Sequence, residues 1–263
     1  ALPIWGLYLL AKWSTHLSPW LAFAAGICLG FIPTIRYAEA LYGPAIAVYM
    51  FLQLHRGKKA YLSLFAAMIG AAIPIAAMLI HNQMVFGEIM RTGYDLGHSL
   101  FSVGFFFEKV TPYLNMILSD GMVFFTAFGI AGMIMLCSRK DTYREGILLV
   151  GIVIPITVAY TAYFFFDASL RFLYPTFFLY TLAAVWFLKI LAQYQTRTVY
   201  AIISIFLLFT FLWGGSQSLS SLVPMRYQNS QVYSIIKEVT QTVEPDSVLI
   251  ASLPYQQHFD FLG

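Results

Sequence analysis

Seven long apolar runs constrain this chain of 263 residues more than any other feature of its sequence. They lie at residues 17–35, 40–54, 60–80, 113–137, 146–166, 172–188 and 198–213. A helix needs about 20 apolar residues to cross a bilayer core, and lipid admits only helices or closed barrels because the backbone must satisfy its own hydrogen bonds. The runs do not alternate between polar and apolar residues as barrel strands do. The sequence therefore predicts an all-α polytopic membrane protein.

The composition agrees with this class. Hydrophobic residues make up 60% of the chain and charged residues 10%, whereas soluble proteins carry roughly 45–50% and about 25%. These values exclude a soluble domain and a disordered chain, and a net charge of +3 is too small to indicate a nucleic-acid partner. Cys28 and Cys137 both lie in apolar runs, where packed thiols are usual, so no disulfide is predicted.

The two ends of the chain differ from its middle. Residues 1–11 are apolar but too short to span and lack the pattern of a signal peptide, so we interpret them as a truncated helix, the first of about eight transmembrane helices. After residue 214, apolar residues recur at helical spacing, and residues 248–251 have the pattern of a short strand. We predict a transmembrane domain over residues 1–214, and the start of a small extracytoplasmic α/β domain over residues 215–263.

The distribution of charge predicts the orientation. Nine of the 15 basic residues fall in alternate loops with only two acidic residues, Asp141 and Glu145, and the other loops hold six basic and ten acidic residues. Basic loops face the cytoplasm in most membrane proteins. Residues 36–39, 81–112, 167–171 and those after Gly214 are therefore expected on the extracytoplasmic side.

Charged residues at the extracytoplasmic boundary are the main functional candidates, because charges near lipid are costly. Arg36 and Glu39 bound a tight link between two apolar runs, and Asp167 and Arg171 bracket another. Each of these two pairs of charged residues is either a local ion pair that caps a helical hairpin or part of a ligand-binding site. Arginine suits an anionic ligand, since its planar fork pairs with phosphate and stays charged.

The loop over residues 81–112 is the longest on this side. It contains Asn82, Arg91 and Tyr94, and ends in a phenylalanine-rich stretch. The loop is either an interfacial anchor or a segment that contacts substrate. No metal site is predicted, because the spacings of the five histidines match no compact set of ligands.

Three motifs resemble those of the C-type glycosyltransferases that use polyprenyl-phosphate-linked sugars, a family that includes protein O-mannosyltransferases and lipid A aminoarabinose transferases. Residues 24–36 are similar to the family's Gly-rich hairpin that ends in a basic residue, residues 82–94 resemble its loop with a Thr-Gly-Tyr motif, and residues 171–175 resemble its Arg-Tyr-x-x-Pro helix start. Residues 224–262 resemble the entry to its periplasmic domain. Together these motifs cover nearly the whole chain.

The resemblance implies a reaction and a set of roles. A polyprenyl-phosphate sugar would be the donor, and a lipid, glycan or protein the acceptor. The residues that match the family's donor and lipid-phosphate site are Arg36, Arg171, Asn82, Arg91 and Tyr94. The family's catalytic base lies in a first extracytoplasmic loop, which would precede Ala1, so the base is expected upstream and this chain is expected to be a C-terminal part. Glu39 and Asp167 would be supporting acids only.

Several alternatives remain open at this stage. A transporter or channel subunit also combines kinked helices with charges, although it places them near the middle of the membrane. A polymerase or ligase of lipid-linked glycans shares the donor class, and a purely structural subunit would need no base. The cofactor is unknown; a divalent metal is conceivable in the family, but no ligand set in the sequence supports one. The expected location is a bacterial inner membrane, with the C-terminus extracytoplasmic.

Overall fold

The computed structural model describes residues 2–91, 101–119, 122–164, 170–193 and 196–242. This part of the chain forms ten α-helices: α1 (Leu2–His16), α2 (Pro19–Gly30), α3 (Ile32–Ile35), α4 (Tyr42–Phe51), α5 (Lys58–Phe86), α6 (Val103–Ser119), α7 (Val123–Ser138), α8 (Tyr143–Thr161), α9 (Tyr174–Ala192) and α10 (Arg197–Thr242). It contains no strand, and one isolated bridge pairs Phe101 with Tyr163. The prediction of a helical chain is confirmed.

Four of these helices are long and apolar enough to cross a membrane: α5, α8, α9 and the first part of α10, Arg197–Ser216. A fifth span results if α6 and α7, which are bent by 106° at their junction, are taken together. The described residues therefore have the helices of a membrane protein. The finer count of eight spans stays a prediction.

Two predicted spans are shorter or more broken than their apolar runs. The run over 17–35 divides into α2 and the four-residue α3, with Pro33 in the first turn of α3. The run over 40–54 contains only the ten residues of α4, between 3-10 turns at Tyr37–Leu41 and Leu54–Arg56. At about 1.5 Å per residue α4 is roughly 15 Å long, half of a bilayer core.

Helix also occupies both ends of the predicted loop over 81–112. α5 continues to Phe86 and ends at Gly87, whose φ of 76° is the left-handed conformation that glycine adopts at helix ends. α6 then begins after Ser102, whose Oγ accepts the Phe105 N–H at 3.1 Å. Serine favours this capping position. The phenylalanine-rich stretch is thus part of an amphipathic helix, and the predicted span over 113–137 is interrupted between α6 and α7.

The last described helix passes through the predicted domain boundary at residue 214. α10 continues without interruption to Thr242. The apolar residues at helical spacing after residue 230 therefore do lie in a helix, and that helix is continuous with the last span. The predicted turn at 245–246 and strand at 248–251 lie outside the described residues. The boundary and the α/β domain therefore stay predictions.

Glycines set the closest helix contacts. Gly26 and Gly30 of α2 face the backbone of Ala67 and Ala71 in α5, and in the same way Gly129 and Gly132 of α7 face Tyr180 and Ala183 of α9. In each pair, residues further along one helix contact residues further along the other, so the two helices run parallel. Without side chains at these positions the backbones approach closely, as is common in membrane helix pairs.

Contacts between helix ends show that the charged loops lie at two opposite ends of the helices. At one end, Arg56 donates to the Ser14 carbonyl, the Tyr49 hydroxyl donates to Glu145 Oε1 at 3.3 Å, and the guanidinium of Arg139 lies 5.8 Å from the ring of Trp186. This end carries the basic loops that the sequence assigns to the cytoplasm. The opposite end carries Arg36 and the residues around it.

Candidate functional site

Arg36 and Glu39 form an ion pair at the turn between α3 and α4. Arg36 has extended backbone angles, which end α3, and its carbonyl accepts the Glu39 N–H at 2.9 Å. Arg36 Nη1 lies 3.9 Å from Glu39 Oε1. The arginine side chain is 39% exposed and that of glutamate 8%. The guanidinium is therefore accessible from outside while the carboxyl faces the interior.

Burial controls the ionisation of this carboxyl. Removal from water raises the pKa of Glu39 above its ordinary value, while the positive charge of Arg36 and the nearby Tyr160 hydroxyl oppose that rise. The burial effect is the largest of the three. Glu39 is thus a carboxyl that holds a proton more readily than an exposed glutamate.

Aromatic rings from the other half of the chain enclose Arg36. Its Cζ lies 5.8 Å from the ring centre of Phe172, a cation–π distance. The Phe172 ring is stacked on Tyr160 at 5.6 Å and meets the ring edge of Tyr163 at 5.9 Å. Arg36 is therefore held between its own turn and the end of α8.

An apolar cavity of about 230 Å³ begins at Glu39. Helices α1, α2, α4 and α5 supply its walls, which include Gly26, Gly30, Ile46 and Met68. Among the described residues that line it, Glu39 carries the one charge. The geometry therefore joins an apolar chamber to a polar end where Glu39 meets Arg36.

The structure does not unite all the predicted site residues. Asn82 is 3% exposed and donates to the Ile89 carbonyl at 3.3 Å; this bond lies within its own segment. Arg91 is exposed, and its backbone N–H donates to the Glu88 carbonyl at 3.3 Å. Asn82 lies in the last turns of α5 and Arg91 follows the C-terminal end of that helix. No described hydrogen bond or ion pair joins Asn82 to the Arg36–Glu39 pair.

The other predicted residues can be placed only in part. Arg171 lies in the 3-10 turn Leu170–Phe172, next to the ring that contacts Arg36. The assignment of Arg171 to the same site as Arg36 stays a prediction. Tyr94 and Asp167 lie outside the described residues.

Three residues of this region were not singled out from the sequence. Tyr160 and Phe172 carry no charge and are more than 120 residues from Arg36, so no local pattern relates them to it. Lys109 is 6% exposed, donates to the Tyr163 carbonyl, and lies 4.9 Å from the ring centre of Phe105. Its basic charge in an aromatic stretch was the one available signal.

Metal and sulfur chemistry have little basis in the described part of the chain. Within it, no three His, Cys, Asp or Glu residues lie close enough together to hold a metal ion. Cys28 and Cys137 are free thiols. The site is therefore best characterised by its arginine, its buried carboxyl and its apolar cavity.

Comparison with known proteins adds no assignment. No family model, no curated protein and no solved structure matches this chain.

Proposed function

We propose that this chain is the donor-binding part of a membrane glycosyltransferase that uses a polyprenyl-phosphate-linked sugar. The observation that carries the proposal is that Glu39, which forms an ion pair with the partly exposed Arg36, lines an apolar cavity. A lipid-linked donor likewise has a charged part and an apolar part, because its anionic phosphate is joined to a hydrocarbon chain. The motif resemblance of residues 24–36 and 171–175 supports the same class of donor.

In this proposal the cavity holds the part of the lipid chain nearest to the phosphate. Its walls are mainly apolar, so they favour hydrocarbon. Arg36 donates to the phosphate oxygens from its exposed side. Arg171, the second basic residue that the motif resemblance assigns to the donor phosphate, lies in the turn Leu170–Phe172.

Arg36 also has a role in the transfer step. Breaking the bond between the sugar and the phosphate leaves negative charge on the departing phosphate. A fixed guanidinium stabilises that charge as it develops, which is the usual role of arginine in such transfers. The acceptor's proton would go to a base outside the described residues, and Glu39 is assigned a supporting role.

The finer topology belongs to the same proposal. About eight spans, with the Arg36 end on the extracytoplasmic face of a bacterial inner membrane and an α/β domain after α10, would place the site where extracytoplasmic acceptors are found. The grouping of the basic loops at the opposite end supports this orientation.

A binding experiment with a matched pair of arginines tests the proposal. Arg139 is also 39% exposed, forms a 3.5 Å ion pair with Asp141, and lies 5.8 Å from an aromatic ring, but at the opposite end. The 263-residue chain in phosphatidylcholine nanodiscs is titrated with polyprenyl phosphate, and bound lipid is quantified by native mass spectrometry.

We expect Arg36→Ala to weaken binding at least about tenfold, because a charge-assisted contact is lost. Arg139→Ala should leave affinity within about twofold, since an exposed ion pair contributes little. Equal affinity of the two variants would refute the assignment of Arg36 to the lipid phosphate.

A further inference from the structure

The basic loops at the end of the molecule opposite Arg36 differ in how their positive charge is balanced. In the loop before α8, Arg139 Nε forms a 3.5 Å ion pair with Asp141. Between residues 12 and 59, by contrast, the one acidic residue is Glu39, which lies at the Arg36 end. The half of the chain that contains α1, α2, α4 and α5 therefore has no carboxylate of its own in its basic loops.

Four exposed basic residues of this half form what we call the basic patch. Arg56 is the fixed member, because it donates to the Ser14 carbonyl of α1 and to Gln53 Oε1 at 3.0 Å. Both acceptors are neutral oxygens, so they hold the guanidinium in place without balancing its charge. Among the described residues, no carboxylate forms an ion pair with any member of the patch. The members are Lys12, Arg56, Lys58 and Lys59.

The other half of the chain does not neutralise the patch. Glu145 of α8 contacts α4, where its Oε1 accepts the Tyr49 hydroxyl at 3.3 Å, and its Oε2 is buried. This carboxylate thus faces the packed helices and forms no ion pair within the described residues. Membrane orientation accounts for basic residues in both loops, but it does not account for the difference in balance between them. The patch therefore has positive charge available to an anion from outside.

An exposed apolar stripe on α5 begins at the patch. Lys58 lies in the first turn of α5, and Tyr61, Leu62 and Phe65 follow it at spacings of three, four and seven residues, which place all four on one helix face. The three apolar side chains are 57–61% exposed. Tyrosine is common where a span meets the headgroup layer. A cationic group thus stands directly before an apolar surface, which matches a phospholipid with its anionic headgroup and its acyl chains.

We propose that the basic patch binds the phosphate of an anionic phospholipid, with an acyl chain of that lipid along the α5 stripe. Arg56 supplies a fixed guanidinium, and Lys58 and Lys59 supply ammonium groups beside it. Phosphatidylcholine has the same phosphate, but its choline cation meets the patch with repulsion. The site therefore favours an anionic lipid such as phosphatidylglycerol. This inference is independent of the proposed function, because it concerns the opposite end of the molecule and a different lipid.

A lipid titration with a matched pair of double variants tests this inference. Phosphatidylglycerol and phosphatidylcholine with identical acyl chains are each titrated against the 263-residue chain in detergent, and bound lipid is quantified by native mass spectrometry. Lys58→Gln/Lys59→Gln removes two charges from the patch and keeps the contacts of Arg56. Lys140→Gln/Lys189→Gln removes two exposed lysines from the same end of the molecule but outside the patch. Thermal unfolding of each variant shows whether its fold is kept.

The wild-type chain should bind phosphatidylglycerol at least about tenfold more tightly than phosphatidylcholine. Lys58→Gln/Lys59→Gln should reduce this preference to within about twofold, because each basic residue near an anionic lipid strengthens binding roughly fivefold. The control variant Lys140→Gln/Lys189→Gln should keep the preference. A rise in ammonium acetate from about 50 to 500 mM should weaken binding of phosphatidylglycerol and leave that of phosphatidylcholine unchanged, since salt screens exposed charges.

Three results would overturn the inference. Equal affinity of the wild-type chain for the two lipids, or an equal loss of preference in the two double variants, would mean that the patch is not a specific site. Loss of the preference in Arg36→Ala, with the preference intact in Lys58→Gln/Lys59→Gln, would place phosphatidylglycerol at the other end. Competition by glycerol phosphate at concentrations similar to that of the lipid would show that the patch binds soluble anions without an acyl chain.

Discussion

At the residue scale, Glu39 is a carboxyl whose charge is unfavourably placed. It is 7% exposed, lines an apolar cavity, and has one ion-pair contact at 3.9 Å. Since its pKa is raised above the ordinary value of 4.5, this carboxyl binds its proton more tightly in the folded chain than in the unfolded chain. Its contribution to stability is therefore present below pH 4.5 and is lost as the pH rises through the raised pKa.

The direction of this pH dependence predicts how Glu39→Gln changes stability. Glutamine keeps the shape but cannot ionise, so the variant should unfold at a higher temperature than wild type, by a larger margin at pH 7 than at pH 5. Thermal unfolding in detergent at both values measures the difference. Glu88→Gln, at an exposed carboxyl, controls for the loss of one negative charge. A margin that shrinks as the pH rises would show that the Arg36 pair outweighs the burial of Glu39.

Sequence reasoning was effective at this scale only where the partners are close in the chain. Arg36 and Glu39 are three residues apart, and their pairing follows from the tight link between two apolar runs. The contacts of Arg36 with Phe172 and of Glu39 with Tyr160 join segments more than 120 residues apart. Such contacts depend on the packing of α4 against α8, which no local pattern specifies.

At the scale of elements, helix pairs with glycine contacts determine the shape of the cavity. A Cβ atom at Gly26 would lie 2.2 Å from the Ala67 carbonyl oxygen, so α2 and α5 cannot keep their distance with a larger residue there. A Cβ at Gly43 of α4 would meet nothing within 4 Å. Both glycines line the cavity, and they differ in whether a methyl group fits.

We therefore predict opposite effects of the same substitution. Gly26→Ala should lower the free energy of unfolding by about 1–3 kcal/mol, the usual effect of overpacking. Gly43→Ala should be neutral or raise it by about 0.5–1 kcal/mol, because alanine favours helix. Chemical denaturation in mixed micelles measures both values. Equal effects of the two variants would mean that α2 and α5 are not in close backbone contact.

The helices themselves were predicted with uneven success. Apolar length identifies α5, α8, α9 and the start of α10, because those helices are apolar on all sides. It fails for the first part of α6, residues 103–112, which was interpreted as a loop because its polar residues interrupt the apolar pattern. It also did not predict that α10 continues from the last span through residue 214, where a domain boundary was expected.

At the scale of the whole molecule, the two ends have different chemistry. One holds the basic loops, with Arg56 and Arg139 in contact with neighbouring helices. The other holds Arg36 with its aromatic neighbours. Charge counting predicted this grouping correctly, because loops at alternate positions along a chain of spans lie on the same side.

Orientation in the membrane is testable by cysteine labelling. With Cys28 and Cys137 replaced by serine, we expect a cysteine at Glu88 to react with an impermeant maleimide on intact bacterial spheroplasts, and one at Asp141 to react only after permeabilisation. Both positions are exposed. Labelling of residue 141 alone on intact spheroplasts would invert the proposed topology and place Arg36 on the cytoplasmic side.

The most direct measurement concerns the cavity and its charged end together. A polyprenyl phosphate with a diazirine near its phosphate is photo-crosslinked to the chain in nanodiscs, and the labelled residues are identified by mass spectrometry. If the lipid binds with its phosphate at Arg36, labels should concentrate on the cavity residues next to Glu39, namely Pro33, Ala40 and Gly43, and Arg36→Ala should remove them. Labels spread over lipid-facing positions such as Leu208 and Phe211 of α10, unchanged by that substitution, would show that the cavity is not a lipid-phosphate site.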